Sequence, residues 1–272
     1  MTTIDFISPP PDSMMTFETY SRTDVGCVRT LNEDSLLVMP RSGLWLVADG
    51  MGGHSSGDYA SQTIVGEVST TGKPTGALDL RARFTARLEA ANAQIRAHST
   101  SLGGGTIGST LVTLLVQQNQ FACIWCGDSR VYRMRGSKLT RITRDHTEVQ
   151  ELLDTGTISP QEAEDWPRKN VITRAIGVTD HPECDIIEGV LADSDVFLLC
   201  SDGLTEYFHD TELVTVLHKG LAGPLEQLCN HLVDTARERG GKDNITVVLV
   251  RCHQTGLPEL AILGDYPEVR EL

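Results

Sequence analysis

The chain has 272 residues, of which 40% are hydrophobic, and its formal net charge at pH 7 is -14. This acidity disfavours nucleic acid and anionic membranes as partners, because both repel a negatively charged protein. No stretch approaches the roughly 18 consecutive apolar residues of a membrane-spanning helix, so we expect a soluble, monomeric protein that folds as one domain.

Residues 1–15 are expected to form a loose leader, since they contain three consecutive prolines and lack the basic and apolar regions of a secretory signal. A cytoplasmic location follows as an expectation. The folded domain is expected over residues 16–253, and the tail 254–272 has no assigned structure. The seven cysteines are an odd number in apolar segments, so we interpret them as reduced core thiols.

Apolar runs of strand length, rich in β-branched and aromatic residues, recur along the chain. They predict buried strands at residues 35–39, 44–48, 109–116, 121–126, 196–200 and 245–250. Apolar residues at helical spacing predict two amphipathic helices. One carries Phe84, Leu88, Ala91 and Ile95, and the other carries Leu221, Leu225, Leu228, Leu232 and Ala236.

Short connections at residues 117–120 and 127–130 predict that the strands on either side of each are antiparallel neighbours. Strands in groups, with helices between the groups, predict an α+β fold of two packed antiparallel sheets with helices outside. Residues 145–177 carry helical pieces and breakers but no strong apolar strand. We expect them to form an inserted flap beside the functional site.

Acidic residues lie at the ends of several predicted strands. They occur in five segments, RTLNEDS (29–35), ADGMGGH (48–54), GDSR (127–130), SDG (201–203) and KDNIT (242–246). Because the end of one antiparallel strand lies beside the beginning of the next, all five segments can meet at one rim. Each segment taken singly is explained by turn chemistry, in which Asp and Gly are common.

The recurrence of this pattern at five strand ends favours a metal site. Carboxylates repel one another by about 4 kcal/mol per pair at roughly 4 Å and an effective dielectric near 20, so a cation is expected among them. Oxygen ligands without a His or Cys cluster favour a hard cation such as Mg²⁺ or Mn²⁺. The supply of ligands fits two ions better than one.

These segments resemble the metal-dependent PPM, or PP2C-like, protein phosphatases in their bacterial form. The matching strings follow the family's order from about residue 23 to residue 250: VGCVRTLNEDS, LVADGMGGHSSGDYAS, GSTLV, CGDSRVYR, LTRITRDHT, NVITRAIG, LCSDGLTE and KDNITVVLV. The resemblance implies an αββα sandwich with a binuclear Mg²⁺ or Mn²⁺ site at one end. It also implies hydrolysis of phosphoserine and phosphothreonine in protein substrates, opposing a serine/threonine kinase.

The resemblance further implies roles for single residues at the two metals. Asp49 is similar to the carboxylate that bridges both metals, and Asp202 and Asp243 are similar to the residues that complete the first site. The backbone carbonyl of Gly50 and the carboxylate of Glu33 resemble ligands of the second site.

Three more residues are assigned by the same resemblance. Asp34 lies alongside Glu33 at the second site, and Asp128 resembles an extra aspartate that holds a third, weaker metal together with Asp202. Arg29 resembles the guanidinium that clamps the substrate phosphate, for which its planar fork is suited.

One position departs from the pattern of the animal members, which carry a histidine, proposed as general acid, two residues after the bridging aspartate. This chain has Met51 there, and Met51 cannot donate a proton. Bacterial relatives share the string DGMGGH, so the change does not imply an inactive enzyme. His54 is one candidate for the general acid, and a structural role beside the metals is the alternative.

A catalytically idle, phosphoprotein-binding regulator of the same fold is the alternative function. Such a protein would be expected to lack a metal aspartate or the phosphate-binding arginine. This chain keeps all of them, namely Arg29, Asp49, Asp128, Asp202 and Asp243. The enzyme is therefore favoured.

Three further features have simpler explanations. Residues 103–108 match G-x-G-x-x-G, but they follow a predicted helix and precede a predicted strand, the reverse of a dinucleotide-binding fingerprint. Cys123 and Cys126 form C-x-x-C on a predicted strand, where they would project to opposite faces as core residues. His146 is interpreted as a loop or cap histidine rather than a catalytic one.

Overall fold

Two antiparallel sheets lie face to face in the computed structural model, which describes residues 14–52 and 56–255. The first sheet has, in order, β1 (Met14–Asp24), β11 (Ile245–Thr255), β10 (Val196–Cys200), β7 (Arg130–Arg135) and β8 (Lys138–Arg141). The second has β2 (Asp34–Met39), β3 (Leu44–Gly52), β5 (Leu111–Gln117), β6 (Gln120–Cys126) and β9 (Asp185–Val190), with β4 (Ile107–Ser109) paired to β3.

Helices cover the outer faces of both sheets. A short 3-10 helix, Pro40–Ser42, joins β2 to β3. The α-helices are α1 (Gly57–Ser69), α2 (Ala77–Ser101), α3 (Glu148–Asp154), α4 (Pro160–Glu164), α5 (Asp202–Thr205), α6 (Asp210–Gly220) and α7 (Leu225–Glu238). The first two pack on the second sheet, and α5, α6 and α7 pack on the first.

Strand β3 begins with a continuous apolar run instead of alternating apolar and polar residues. Leu44 and Leu46 face α1 and α2, whereas Trp45 and Val47 face the other sheet. Both faces of the strand are buried, so a continuous apolar run is required. The predicted αββα sandwich is confirmed, with one apolar layer between the sheets and one beneath each set of helices.

The short connection at 127–130 was expected to join neighbouring strands, and this expectation is wrong. Strand β6 belongs to the second sheet and β7 to the first, where β7 pairs with β10 and β8. Gly127 makes the crossing possible, since its φ of 103° lies in the left-handed region that favours glycine. The connection at 117–120 does join antiparallel neighbours, β5 and β6.

The expected domain boundaries differ slightly from the observed strands. β1 begins at Met14, within the expected leader, and β11 reaches Thr255, within the expected tail. Residues 1–13 and 256–272 lie outside the described residues. The flap, residues 145–177, contains α3 and α4. No helix in the described ranges is long and apolar enough to cross a membrane.

The cysteines are free thiols, as expected, but not all of them lie in the core. Five are buried, whereas Cys27 is exposed and Cys184 is half-buried. Cys123 packs between the sheets and Cys126 packs towards α1 and α2, which confirms that the C-x-x-C pair points to opposite faces.

Candidate metal centre

Acidic side chains from separate elements meet at one end of the sandwich, here called the acidic rim. Asp34 begins β2 and is paired across the strands with Asp49 of β3. Asp202 opens α5, with Ser201 between it and the end of β10. Burial first, and then the negative charges of Asp34, Asp202, Asp128 and Asp243, raise the pKa of Asp49 well above its usual value. These four aspartates therefore lie within electrostatic range of Asp49.

Asp49 and Asp202 are neighbours at the rim. Burial first, and the charge of Asp243 second, raise the pKa of Asp202 to about 6, while its interaction with Asp49 lowers it. Burial is also the first cause that raises the pKa of Asp49, and the charge of Asp202 is a further one. Neighbouring carboxylates repel each other unless a proton or a cation compensates their charge.

Asp34 is buried and connects the two sheets at the rim. Its Oδ2 accepts hydrogen bonds of 2.7 Å from the hydroxyls of Ser201 and Thr246, both in segments of the first sheet. Its Oδ1 is buried without a hydrogen-bond partner among the described residues. Burial is the main cause that raises the pKa of Asp34 to about 7, against the effect of the two hydroxyls.

Glu33 is fixed through both its backbone and its side chain. Its N–H donates to Asn244 Oδ1 at 2.7 Å, and its carbonyl accepts from the Gly50 N–H at 3.1 Å. Its Oε1 accepts from the Gly57 N–H, at the start of α1, at 3.1 Å. Burial raises the pKa of Glu33, while the Gly57 hydrogen bond lowers it. The carboxylate is thus held at a helix N-terminus beside the rim.

Gly50 lies where the backbone segments around Glu33 and α1 come closest. A Cβ at this position would lie 2.0 Å from the Gly57 carbonyl oxygen and 2.7 Å from that of Glu33. No side chain fits this space, so glycine is required for steric reasons. Asp49 and Gly50 therefore remain packed against the first turn of α1.

Asp128 is presented by the turn that crosses between the sheets. The Gly127 N–H donates to His146 Nδ1 at 3.2 Å, and the His146 N–H donates to the Gly127 carbonyl at 2.9 Å. Burial first, then the charges of Asp202 and Asp145, raise the pKa of Asp128 to about 8. His146 lies in a loop, as expected, but its ring is buried and orients this turn.

Arg29 lies at the open side of the rim. Its Nη2 donates to Asp243 Oδ2 at 2.7 Å, and its Nη1 lies 3.9 Å from Glu33 Oε2. The hydrogen bond with Asp243 is the main cause that raises the pKa of Arg29. The arginine side chain is 48% exposed, so its guanidinium remains accessible to a ligand from solvent.

His54, the candidate general acid, lies outside the described residues. Met51, which replaces the histidine of the animal members, lies in β3 opposite Gly108 of β4.

A cavity of about 530 Å³ opens beside Asp128 and Asp202. Its other walls come from the flap and from the segment that joins α5 to α6, and they include Gln150, Leu153, Ala163, Lys169, Glu206 and His209. Residues of the flap and two aspartates of the acidic rim thus line the same cavity.

The donor set at the rim fits a hard cation. Within residues 14–52 and 56–255, no three His, Cys, Asp or Glu side chains already surround one point as ligands of an ion. The carboxylates are nonetheless close enough to raise one another's pKa, and a cation would remove that repulsion. Oxygen-only donors and the unpartnered Asp34 Oδ1 are the chemistry that Mg²⁺ or Mn²⁺ prefers.

Several residues that shape the rim were not singled out from the sequence. Ser201, Asn244 and Thr246 lie inside the segments SDG and KDNIT, yet only the aspartates of those segments were assigned roles. Their neutral side chains orient Asp34 and Glu33 across the two sheets. Position within the same segments was the one signal that could have identified them.

Comparison with known proteins agrees with this geometry. Residues 28–249 match the family model described as protein phosphatase 2C. The serine/threonine phosphatase stp of Listeria monocytogenes (serotype 4b, strain F2365) is 38% identical over 239 residues, which cover 84% of this chain and 93% of that protein.

Solved structures give the same result. PppA, described as a key regulatory component of T6SS in Pseudomonas aeruginosa, aligns with a TM-score of 0.80 at 38% identity, over 89% of this chain and 100% of that one. The catalytic domain of the serine/threonine protein phosphatase PstP, in complex with two manganese ions, aligns with a TM-score of 0.77 at 34% identity, over 88% and 100%. By its sequence and its fold, the chain belongs to the protein phosphatase 2C family.

Proposed function

We propose that this chain hydrolyses phosphoserine and phosphothreonine in proteins, using water activated by a pair of divalent cations. The observation that carries the proposal is the convergence of Asp34, Asp49, Asp128, Asp202 and Asp243 at one rim. The relatives named serine/threonine phosphatases, and the manganese-containing PstP structure, support the same reaction.

The first cation would be held by Asp49, Asp202 and Asp243. Asp49 would bridge to the second cation, which Glu33 and the Gly50 carbonyl would also bind. The raised pKa of Asp49, caused first by burial and then by four neighbouring carboxylates, supports this role, because such a carboxylate needs a compensating charge. Bound Mg²⁺ or Mn²⁺ supplies Lewis-acid chemistry, lowering the pKa of water and offsetting negative charge on phosphate oxygens.

Asp34 would lie alongside the second cation, and Asp128 would share a third, weaker one with Asp202. The unpartnered Oδ1 of Asp34 supports the first assignment. The proximity of Asp128 to Asp202, seen in the raised pKa of Asp128, supports the second. His146 would act by orienting the turn that carries Asp128 rather than by contact with substrate.

Arg29 would bind the phosphoryl group. Its half-exposed guanidinium can present two N–H donors to phosphate oxygens and stabilise the charge that they carry during transfer. The cavity between the flap and α6 offers room for the residues that flank the phosphorylated side chain. His54 stays a candidate for the group that protonates the leaving oxygen.

We further propose that the substrates are phosphorylated by an opposing serine/threonine kinase, and that the chain acts as a monomer in the cytoplasm. The relatives' names as serine/threonine phosphatases support the kinase, because a phosphatase of this type requires an enzyme that installs the phosphate. Free cysteines support a reducing compartment.

The test is hydrolysis of an aryl phosphate and of a phosphothreonine peptide by the metal-stripped protein, with Mn²⁺ or Mg²⁺ added back. Turnover of both substrates should appear with the cation and disappear with excess chelator. Turnover that survives complete chelation would contradict the proposed reaction. No turnover with any divalent cation would instead favour the idle phosphoprotein-binding regulator.

A further inference from the structure

Two cysteines without a role in the proposed hydrolysis face each other across neighbouring strands. Strands β6 and β9 are antiparallel, with Trp125 opposite Asp185. Cys126 and Cys184 are the next residues along this register. The Cα atoms of directly opposed residues lie about 4.5–5.5 Å apart, within the range of roughly 4.4–6.8 Å that a disulfide spans.

The side chains of these two residues are in contact. Cys126 belongs to the apolar layer beneath α1 and α2, and Cys184 packs against the same layer. Cys126 is buried, whereas Cys184 is half-buried. The pair therefore combines one thiol that a small reagent can reach with one that it cannot.

We propose that Cys126 and Cys184 form an oxidation site, at which a hydroperoxide converts the two thiols into a disulfide. The Cys184 thiolate attacks the peroxide, the O–O bond breaks, and Cys184 becomes a sulfenic acid with release of hydroxide. The Cys126 sulfur then attacks the sulfenic sulfur and the S–O bond breaks. The departing hydroxide takes the Cys126 proton as water, so the two thiols lose two electrons to the peroxide.

The other cysteines lack this arrangement. Cys123 is on the opposite face of β6, between the sheets. Cys27 is exposed, but its Sγ contacts the Arg237 carbonyl at 3.6 Å. Cys126 is buried, so an oxidant from solvent reaches Cys184, the half-buried member of the pair, first.

The disulfide would lie next to the acidic rim. Cys126 directly precedes the turn that carries Asp128, and Cys184 directly precedes Asp185. Asp185 Oδ2 is 3.3 Å from His146 Nε2, and the same ring accepts the Gly127 N–H. The bond would thus join two segments that His146 already connects.

The test is treatment of the reduced, metal-stripped protein with hydrogen peroxide, followed by thiol titration in denaturant and mapping of a non-reduced chymotryptic digest. Cleavage after Trp125 separates Cys126 from Cys123, and cleavage after Phe197 separates Cys184 from Cys200. The thiol count should fall by two from seven, with a cross-linked peptide containing Cys126 and Cys184. Dithiothreitol should restore all the thiols.

Two variants control the experiment. Cys184→Ser should form no intramolecular disulfide, whereas Cys27→Ser, which removes an exposed thiol outside the pair, should still lose two thiols. Retention of every thiol by the wild-type protein, or a cross-link between other cysteines, would overturn the proposal. None of these measurements depends on phosphatase activity.

Discussion

Arg29 donates a hydrogen bond of 2.7 Å to the carboxylate of Asp243, so a single contact joins the residue assigned to the substrate phosphate and one assigned to a metal. The arginine side chain is 48% exposed, and ion pairs at such exposure contribute little to stability because water screens them. The guanidinium can therefore exchange this partner for a phosphate at small cost.

Arg29→Ala is expected to lower kcat/KM for a phosphothreonine peptide by roughly 10- to 100-fold, since a hydrogen bond to a charged group contributes about 1.5–3 kcal/mol. The kcat/KM of Arg29→Lys should lie between the values of the wild-type protein and of Arg29→Ala, because lysine keeps the charge but lacks the planar fork of arginine. Arg81→Ala is the matched control, as Arg81 is also half-exposed and ion-paired, with Glu188. Steady-state kinetics with wild-type values for Arg29→Ala would contradict the assignment.

The central strands of the core could be predicted from sequence, because a strand that is buried on both faces consists of a continuous apolar run, as in β3 and β10. The strands that escaped prediction are the ones with polar or exposed positions. β1 mixes apolar and polar residues without a continuous apolar run, and five of the six residues of β9 are exposed. Local patterns also could not show that the chain changes sheets at Gly127, since that depends on long-range packing.

The acidic rim was predictable from aspartates at strand ends, but its supporting contacts were not. Thr246 is bound to Asp34, 212 residues earlier in the chain, and Asn244 is bound to the Glu33 N–H. Sequence patterns reveal periodicity and local turns, whereas these hydrogen bonds require the two sheets to be packed together. The contact between Cys126 and Cys184 similarly depends on strand register.

Asp49→Asn is expected to abolish metal-dependent turnover and yet to stabilise the metal-free protein at pH 8. The substitution removes a half-buried carboxyl group whose ionised form is opposed by burial and by four neighbouring carboxylates. The gain should be on the order of 1–3 kcal/mol, the usual cost of an uncompensated buried polar group. Urea denaturation in the presence of a chelator measures this gain in the free energy of unfolding.

Asp193→Asn is the matched control for this variant. Asp193 is exposed, and the Gln254 N–H lowers its pKa, so its ionised form is favoured in the folded chain. This variant should keep activity and gain no stability. Equal stability changes in the two variants would show that the effect is not specific to the acidic rim.

The stability of the metal-free protein is expected to fall as pH rises from about 5 to about 8. Burial is the first cause that raises the pKa of Asp202 to about 6, of Asp34 to about 7 and of Asp128 to about 8, against about 3.9 in an unfolded chain. The folded chain therefore binds more protons than the unfolded chain across this window, and unfolding becomes easier as those protons are lost.

Urea midpoints measured in this pH range with chelator present would check the expectation. Asp128→Asn should flatten the slope at its upper end, because one of the raised groups is removed. Added Mn²⁺ should raise the midpoint most at pH 8, where the carboxylates are ionised and free to bind it. A metal-free protein that becomes more stable between pH 6 and pH 8 would contradict this account.

Gly50→Ala and Gly66→Ala are expected to change stability in opposite directions. A Cβ at Gly50 would lie 2.0 Å from the Gly57 carbonyl oxygen, so the backbone beside Glu33 must move, at a cost of about 1–3 kcal/mol and with weaker Mn²⁺ binding. A Cβ at Gly66, within α1, meets no heavy atom within 4 Å and should stabilise the helix by roughly 0.5–1 kcal/mol. Urea denaturation and Mn²⁺ titration of both variants distinguish these effects. If the two variants had the same Mn²⁺ affinity and the same free energy of unfolding, the proposal that close packing of Gly50 against α1 positions this side of the acidic rim would be wrong.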